Sequence, residues 1–451
     1  MASIQKRNKK YAVVYTYEDS EGVKRQKWES FDTFAQAKER KIKVENEQLN
    51  GTFIPPSATT VSEFMELFVE LHGSKNWSMS TYQRSKRIIT NYINPFIGKI
   101  KLQSVTPLMI EKYYKQLLKT RSVNNKYHKS KVNVSTGTVR EIHKLLKCAF
   151  GVAINWDLIS TNPFLKVKPP KHVYEKRQIW NSETIMKALD VCEDPKLIIS
   201  IHLSFACSLR LGEVLGLQWK DVHINDEDIL NDDAHINVVQ QLESVSVEAL
   251  EVLERKDVLY EFTSEPYKGK KSVVVLKKPK TLSSIRKVWL PKTLAYILRE
   301  WKKEQDEYKE FFGPEYKSYD LVVCFEDGRY CSHGVIRHSL KTLIEENDLP
   351  PIVFHSLRHS STTYKLKLNH GDIKATQGDT GHAQADMVTE VYGHIIDEDR
   401  KVNAQKFNET FYSGKAENVE SKRQNSINVD ELINAIKKDP QLMDQLVKAL
   451  S

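Results

Sequence analysis

Residues 353–394 read VFHSLRHSSTTYKLKLNHGDIKATQGDTGHAQADMVTEVYGH, and the rest of the chain is organised around them. The stretch holds a His-x-x-Arg pair (His355, Arg358), a Gly-His pair (Gly381, His382) and a tyrosine followed by Gly-His (Tyr392, Gly393, His394). Three polar groups able to hold an oxyanion precede one hydroxyl able to attack phosphorus. That combination points to phosphoryl transfer on a DNA backbone, with tyrosine as the nucleophile. Among the 19 tyrosines the rival is Tyr364, six residues after Arg358 and expected on the same helix, where it is tethered too rigidly.

Composition sets the frame for that reading. A chain of 451 residues exceeds one ordinary core, so several domains are expected. With 28% charged and 40% hydrophobic residues it reads as globular rather than disordered. No apolar run approaches the ~18–20 residues that span a bilayer, and the opening MASIQKRNKK lacks the apolar centre of a secretion signal. The five cysteines (Cys148, Cys192, Cys207, Cys324, Cys331) form no Cys-x-x-Cys pair and read as reduced thiols of a cytoplasmic protein, with no metal expected. Residues 81–180 carry 20 Lys or Arg against 4 Asp or Glu, a net of +16 inside a chain of +9, so the remainder carries −7. A basic region set in an acidic remainder is the electrostatic footprint of a nucleic-acid binder.

Patterning divides the chain. Residues 1–52 alternate as strands (YAVVYTY, VKRQKWES) ahead of a helix over 34–49, a three-stranded sheet plus helix whose Lys9, Lys10, Arg25 and Lys27 suit a DNA groove. After the FIPPSATT linker, residues 61–165 show helical periodicity over 61–71 (Ser62 as N-cap), 80–92, 106–118 and 135–156. Basic stripes Lys86–Arg87, Lys112–Lys115 and Arg140–Lys144–Lys147 would meet phosphates there, supplying affinity rather than sequence choice. A basic linker over 166–180 follows. From 181 to 413 a mixed α+β domain is expected. It opens with the apolar segment around Arg210 and Glu213, placed three apart on one helical face. Residues 226–271 hold 12 acids and 5 bases, and the part at about 243–271 reads as an acidic insertion facing solvent or a neighbouring subunit. Strands over 272–276 and 285–290 are expected to pair as a hairpin with Lys277, Lys278 and Lys280 at its tip. Beyond Tyr392 come a helix over 397–411 and, at 414–451, a polar tail with short amphipathic helices.

Arg210-x-Gly-Glu213, Pro279-Lys280-Thr281 with Ser284 and Arg286, His355-x-x-Arg358-His, Gly-His382 and Tyr392, in that order, resemble the tyrosine recombinases, specifically integrases of phages and integrative elements. The motifs span about 205–412. Ser208 stands where that family often has Gly, and Thr380 where it often has Leu. The resemblance implies an arm-type DNA-binding domain at 1–52, an all-α core-binding (SAM-like) domain at 61–165 and the family's catalytic domain at 181–413. It further implies double-stranded DNA at attachment sites as substrate and a homotetramer on DNA. An excisionase and a DNA-bending protein are the implied accessory partners, and no membrane is involved. In chemical terms Arg210 and Arg358 bracket the phosphate, Lys280 protonates the leaving 5′ oxygen and His355 accepts the tyrosine proton. His382 donates to the phosphate, and Glu213 holds Arg210. Tyr392 would form a 3′-phosphotyrosine, and the bond energy kept there makes resealing independent of cofactors. A type IB topoisomerase and a catalytically inactive DNA-binding regulator are the alternatives.

Overall fold

The computed structural model describes residues 2–7, 9–18, 22–123, 129–173, 178–262, 271–369 and 372–380. The expected positions Gly381, His382, Tyr392, Gly393 and His394, the helix over 397–411 and the tail lie outside these residues.

The first unit is an antiparallel sheet of β1 (Ser3–Arg7), β2 (Lys10–Glu18) and β3 (Lys24–Phe31), with β2 in the middle. Helix α1 (Phe34–Leu49), capped by Thr33, lies across it. Val13, Tyr15, Ala37 and Val44 form a small core. The Tyr15 hydroxyl donates to Glu29 Oε1 at 2.6 Å and Arg40 Nε donates to Glu29 Oε2 at 2.7 Å, which fixes the helix on the sheet.

Helices α2 (Val61–Phe68), α3 (Met79–Ile88), α4 (Pro107–Lys119) and α5 (Thr136–Asn155) make the second unit. Three of the four starts follow from side-chain caps: Thr60, Thr106 and Ser135 each accept a backbone N–H three residues on. Thr60 rather than Ser62 caps α2, because Thr60 and Glu63 satisfy each other's backbone in a capping box. The unit differs from the expected all-α design by a small hairpin, β4 (Arg121–Val123) with β5 (Lys129–Asn133). The start of the expected linker also belongs here, since Val167 is buried in this core.

The third unit contains α6 (Ser182–Asp190), α7 (Pro195–Ala206) and the short α8 (Leu211–Gly216). Its strands are β6 (Val222–His223), β7 (His235–Val238), β8 (Gln241–Ser246), β9 (Val258–Phe262), β10 (Ser272–Lys277) and β11 (Arg286–Trp289), with α9 (Val247–Val252) following β8. Helices α10 (Lys292–Phe312), α11 (His333–Glu346), α12 (Phe354–Leu368) and α13 (Ile373–Thr380) complete it.

One expectation fails here and a second holds only in part. Strands β10 and β11 are not a hairpin: β10 runs between β8 and β9, whereas β11 pairs with β7 in another sheet. The reason is that β10 is buried on both faces. Val273 and Val275 pack with the helical unit, and Leu276 packs with the core of the third unit, so VVVL reads as a continuous apolar run. The acidic insertion, for its part, does not only face outward: Glu251, Glu254 and Asp257 are exposed, but one side of its helix docks within the chain. Ala249, Leu250 and Leu253 pack into the helical unit, and Glu248 meets Tyr82 Oη and Lys86 Nζ, both at 3.3 Å. Its acids occupy one side of a short amphipathic helix whose other side is apolar. Among the described residues, no helix is long and apolar enough to cross a membrane.

Candidate active site

The turn before α8 creates the centre of the site. Ser208 adopts φ +54°, a left-handed backbone that explains a preference for Gly at this place. The serine is held there because its hydroxyl bonds the Ser361 hydroxyl at 2.6 Å, and its carbonyl accepts from Arg358 Nη1. Two residues on, Arg210 is the N-cap of α8 rather than a member of it, and Glu213 reaches back in a capping box. The Glu213 carboxylate accepts from the Arg210 amide at 3.0 Å and from Arg210 Nη1 at 2.7 Å.

A second guanidinium converges on the same carboxylate: Arg286 Nη2 donates to Glu213 Oε2 at 3.1 Å. Sequence reasoning gives Arg286 no role of its own, because 73 residues separate it from Glu213 and only the β11–β7 pairing turns it inward. Burial pushes the Glu213 carboxyl up, but the Arg286 and Arg210 charges outweigh it and hold the carboxyl below the usual carboxylate range. A depressed carboxyl stabilises the fold above its ordinary value of 4.5 and loses that contribution as pH falls through the lower folded value. The catalytic unit is therefore expected to lose thermal stability as pH drops below about 4.5. In Glu213→Gln that component of the decline should vanish, and an identical pH profile would contradict the assignment.

Arg358, on α12, is 1% exposed. Burial pushes its guanidinium down to about 9, Arg210 and Arg286 press the same way, and Glu213 opposes them. Among the described residues the neighbourhood holds three guanidiniums and one buried carboxylate, donors suited to an anion.

Lys280 lies in the segment between β10 and β11, exposed, on the rim of a cavity of about 480 Å³ shared with Arg210, Glu213, Glu243, Ser284 and His333. Lys277 is buried and paired with Glu243 at 3.0 Å, which leaves Lys280 and Lys278 exposed. His355 is exposed on α12 and opens onto an adjoining, more apolar groove of about 860 Å³ with Leu211, Val353 and Phe354; Gly212 and His333 line both spaces. His355 and Arg358 therefore share a helix but not a degree of burial. The rival Tyr364 packs its ring on Phe205, with centroids 5.7 Å apart. The structure thus brings Arg210, Glu213, Lys280, Arg286 and Arg358 together, with His355 beside them.

Comparisons with known proteins give the chain's relatives. Residues 60–118 match the phage integrase N-terminal SAM-like domain. The ICEBs1 integrase of Bacillus subtilis (strain 168) is 25% identical over 341 residues, covering 73% of this chain and 77% of that protein. A XerC-like tyrosine recombinase from Caldanaerobacter subterraneus subsp. tengcongensis is 22% identical over 391 residues, 84% of this chain and 90% of that protein. Over most of its length the chain is thus similar to integrases and tyrosine recombinases. The chain also shares its fold with a segment of the Tn1549 transposon integrase, solved with a circular-intermediate DNA. There the TM-score is 0.58 at 17% identity, over 77% of this chain and 99% of the other.

Of the expected DNA-facing residues, Lys9, Arg25, Arg87, Lys112, Lys115 and Lys147 are exposed, and Lys27 and Arg140 are half-buried. Ion pairs within the described residues engage Lys10 with Asp32 at 3.1 Å, Lys86 with Glu248 at 3.3 Å and Lys144 with Glu141 at 3.3 Å. Lys86 is thereby turned to the insertion.

Proposed function

We propose that this protein is an integrase that cuts and rejoins DNA at attachment sites, integrating or excising a mobile element. The observation that carries the reading is the cluster of Arg210, Arg286 and Arg358 around Glu213, with Lys280 on the rim of the same cavity. A phosphodiester resists attack because the nucleophile meets an anion and the leaving alkoxide is poor. Arg210 and Arg358 would neutralise the charge that grows on the non-bridging oxygens, through donors that stay protonated. Tyr392 Oη would form a bond to phosphorus as the P–O5′ bond breaks. The tyrosine proton would pass to His355, and Lys280 would give its proton to the departing 5′ oxygen, while His382 donates to the phosphate. Glu213 keeps Arg210 and Arg286 in place.

The substrate in this reading is double-stranded DNA, gripped by the basic faces of the first two units. Exchange between two duplexes needs several active sites, which a homotetramer would supply, and an excisionase and a DNA-bending protein would set direction. Incubation with a suicide substrate nicked near the cleavage site should trap the protein covalently, and failure to trap would favour a regulator without catalysis.

Lys280→Ala is expected to slow cleavage by roughly 10²–10⁴, the usual worth of a general acid. A substrate with a 5′-bridging sulfur should recover most of that loss, since a thiolate leaves without a proton. Equal loss on both substrates would move the acid elsewhere.

A further inference from the structure

Four consecutive residues lead from β10 into the cavity, and the first three are each fixed by a different device. Lys277, 3% exposed, pairs through Nζ with Glu243 Oε2 at 3.0 Å. The Lys278 amide donates to the Asp257 carbonyl at 2.9 Å. Residue 279 is a proline, whose ring fixes φ. Lys280 comes next.

The faces of the sheet give this arrangement a direction. Residues alternate along a strand, so Lys277 points with Val273 and Val275, and Glu243 points with Val245. All three valines are buried in the core of the helical unit. Lys277, Lys278 and Lys280 line a cavity of about 400 Å³ together with Trp77, Ser78 and Met79 at the start of α3. Glu243, on the opposite strand, lines the cavity of Arg210 and Lys280. The ion pair therefore stands at the join between the two cores, one step before the lysine that faces the phosphate site. A buried pair of opposite charges adds little net stability compared with apolar residues of similar size, so stability alone does not account for one here.

We propose that the Lys277–Glu243 ion pair is a positioning device: seating the helical unit on β8 and β10 fixes the end of β10 and so sets Lys280 for proton donation. This rests on the reading of Lys280 as the proton donor. Neither Lys277 nor Glu243 touches the DNA in this scheme; both act through the backbone of residues 278–280. Docking of the DNA-gripping unit and readiness of the acid then become one event.

The test uses the full-length chain and a suicide duplex carrying either the ordinary 5′ oxygen or a 5′-bridging sulfur at the cleaved bond. Two variants are compared, Glu243→Gln and the double change Glu243→Leu with Lys277→Met. The double change removes both charges together and keeps the protein folded if the single one does not, as thermal melting would report. The expected result is cleavage slowed roughly tenfold to a hundredfold on oxygen, less than removal of a general acid costs. On sulfur the rate should be close to that of the unaltered protein, and DNA affinity should be unchanged. A purely structural pair would slow both substrates alike, and that outcome, or no slowing at all, overturns the proposal. Lys280→Ala in parallel separates the two layers. If sulfur rescues it but not the pair variants, positioning is wrong and the donor assignment stands. If sulfur fails to rescue Lys280→Ala, the donor assignment itself falls. If sulfur rescues Lys277→Met but not Lys280→Ala, Lys277 is the acid and the positioning role is overturned.

Discussion

Tyr392→Phe is expected to abolish the covalent DNA adduct while leaving DNA affinity unchanged. Phenylalanine keeps the ring and removes only the oxygen that would bond to phosphorus, so binding through the basic faces has no reason to suffer. No partial rate is expected, because no other group in the proposed scheme can replace the nucleophile. The nearest rival by sequence, Tyr364, spends its ring on Phe205 instead. The measurement is a denaturing gel of protein incubated with a suicide substrate, alongside a binding isotherm for the same duplex. An adduct that survives in Tyr392→Phe would place the nucleophile elsewhere, and mapping the linked peptide would identify it.

Arg358→Met should separate catalysis from stability. Losing one preorganised donor to the developing oxyanion is expected to slow cleavage by roughly 10²–10³, about 3–4 kcal/mol. Folding should respond differently. Arg358 is a buried cation facing two more, and its guanidinium is held down to about 9 from an ordinary value of 12.5. A cation so depressed charges at a cost to the folded state, and that cost is present at every pH below about 9 and fades only as pH rises toward 12.5. Methionine has similar length, no charge and a flexible stem that fills the space. The melting temperature of the DNA-free variant should therefore stay level or rise by a few degrees, despite the lost bond to the Ser208 carbonyl. A large fall in melting temperature with cleavage intact would show Arg358 to be a structural residue. An active site that carries strain of this sign trades stability for affinity toward an anion.

How much of this was legible in the chain depends on the range of the interactions involved. Helices with a capping side chain were readable to within a residue or two, because the cap is local: Ser135 ahead of Thr136–Asn155 is an example. The first sheet was readable because alternation and turn residues lie within thirty positions. Pairing of β10 was not. A run of three valines and a leucine satisfies a hairpin strand and a strand buried on both faces equally well, and only the docking of a distant helical unit decides between them. Glu248, Glu251 and Glu254 made residues 243–271 read as solvent-facing, yet Ala249, Leu250 and Leu253 among them were the available signal of a docked face. Within the site, Arg210 and Glu213 were legible from spacing, though as a cap rather than a helical pair. Arg286 was present in the motif, but its partner is set by strand pairing, which one sequence does not display.

The two-faced strand has a further meaning for how the protein is divided. The boundary between 165 and 181 looks like a place to cut, with a linker on one side and a new helix on the other. A fragment beginning at 181 would nonetheless carry Val245, Ala249, Leu250, Leu253, Val273 and Val275 without the helices that cover them. Six apolar side chains laid bare on one sheet and its helix form a sticky surface, the five valines and leucines among them each forfeiting about 1.5–3 kcal/mol of burial. Such a fragment is not an autonomous catalytic module but half of a joint, prone to self-association. Inheritance of these units in evolution would be constrained the same way, since exchanging the helical unit means exchanging its counterpart strands too.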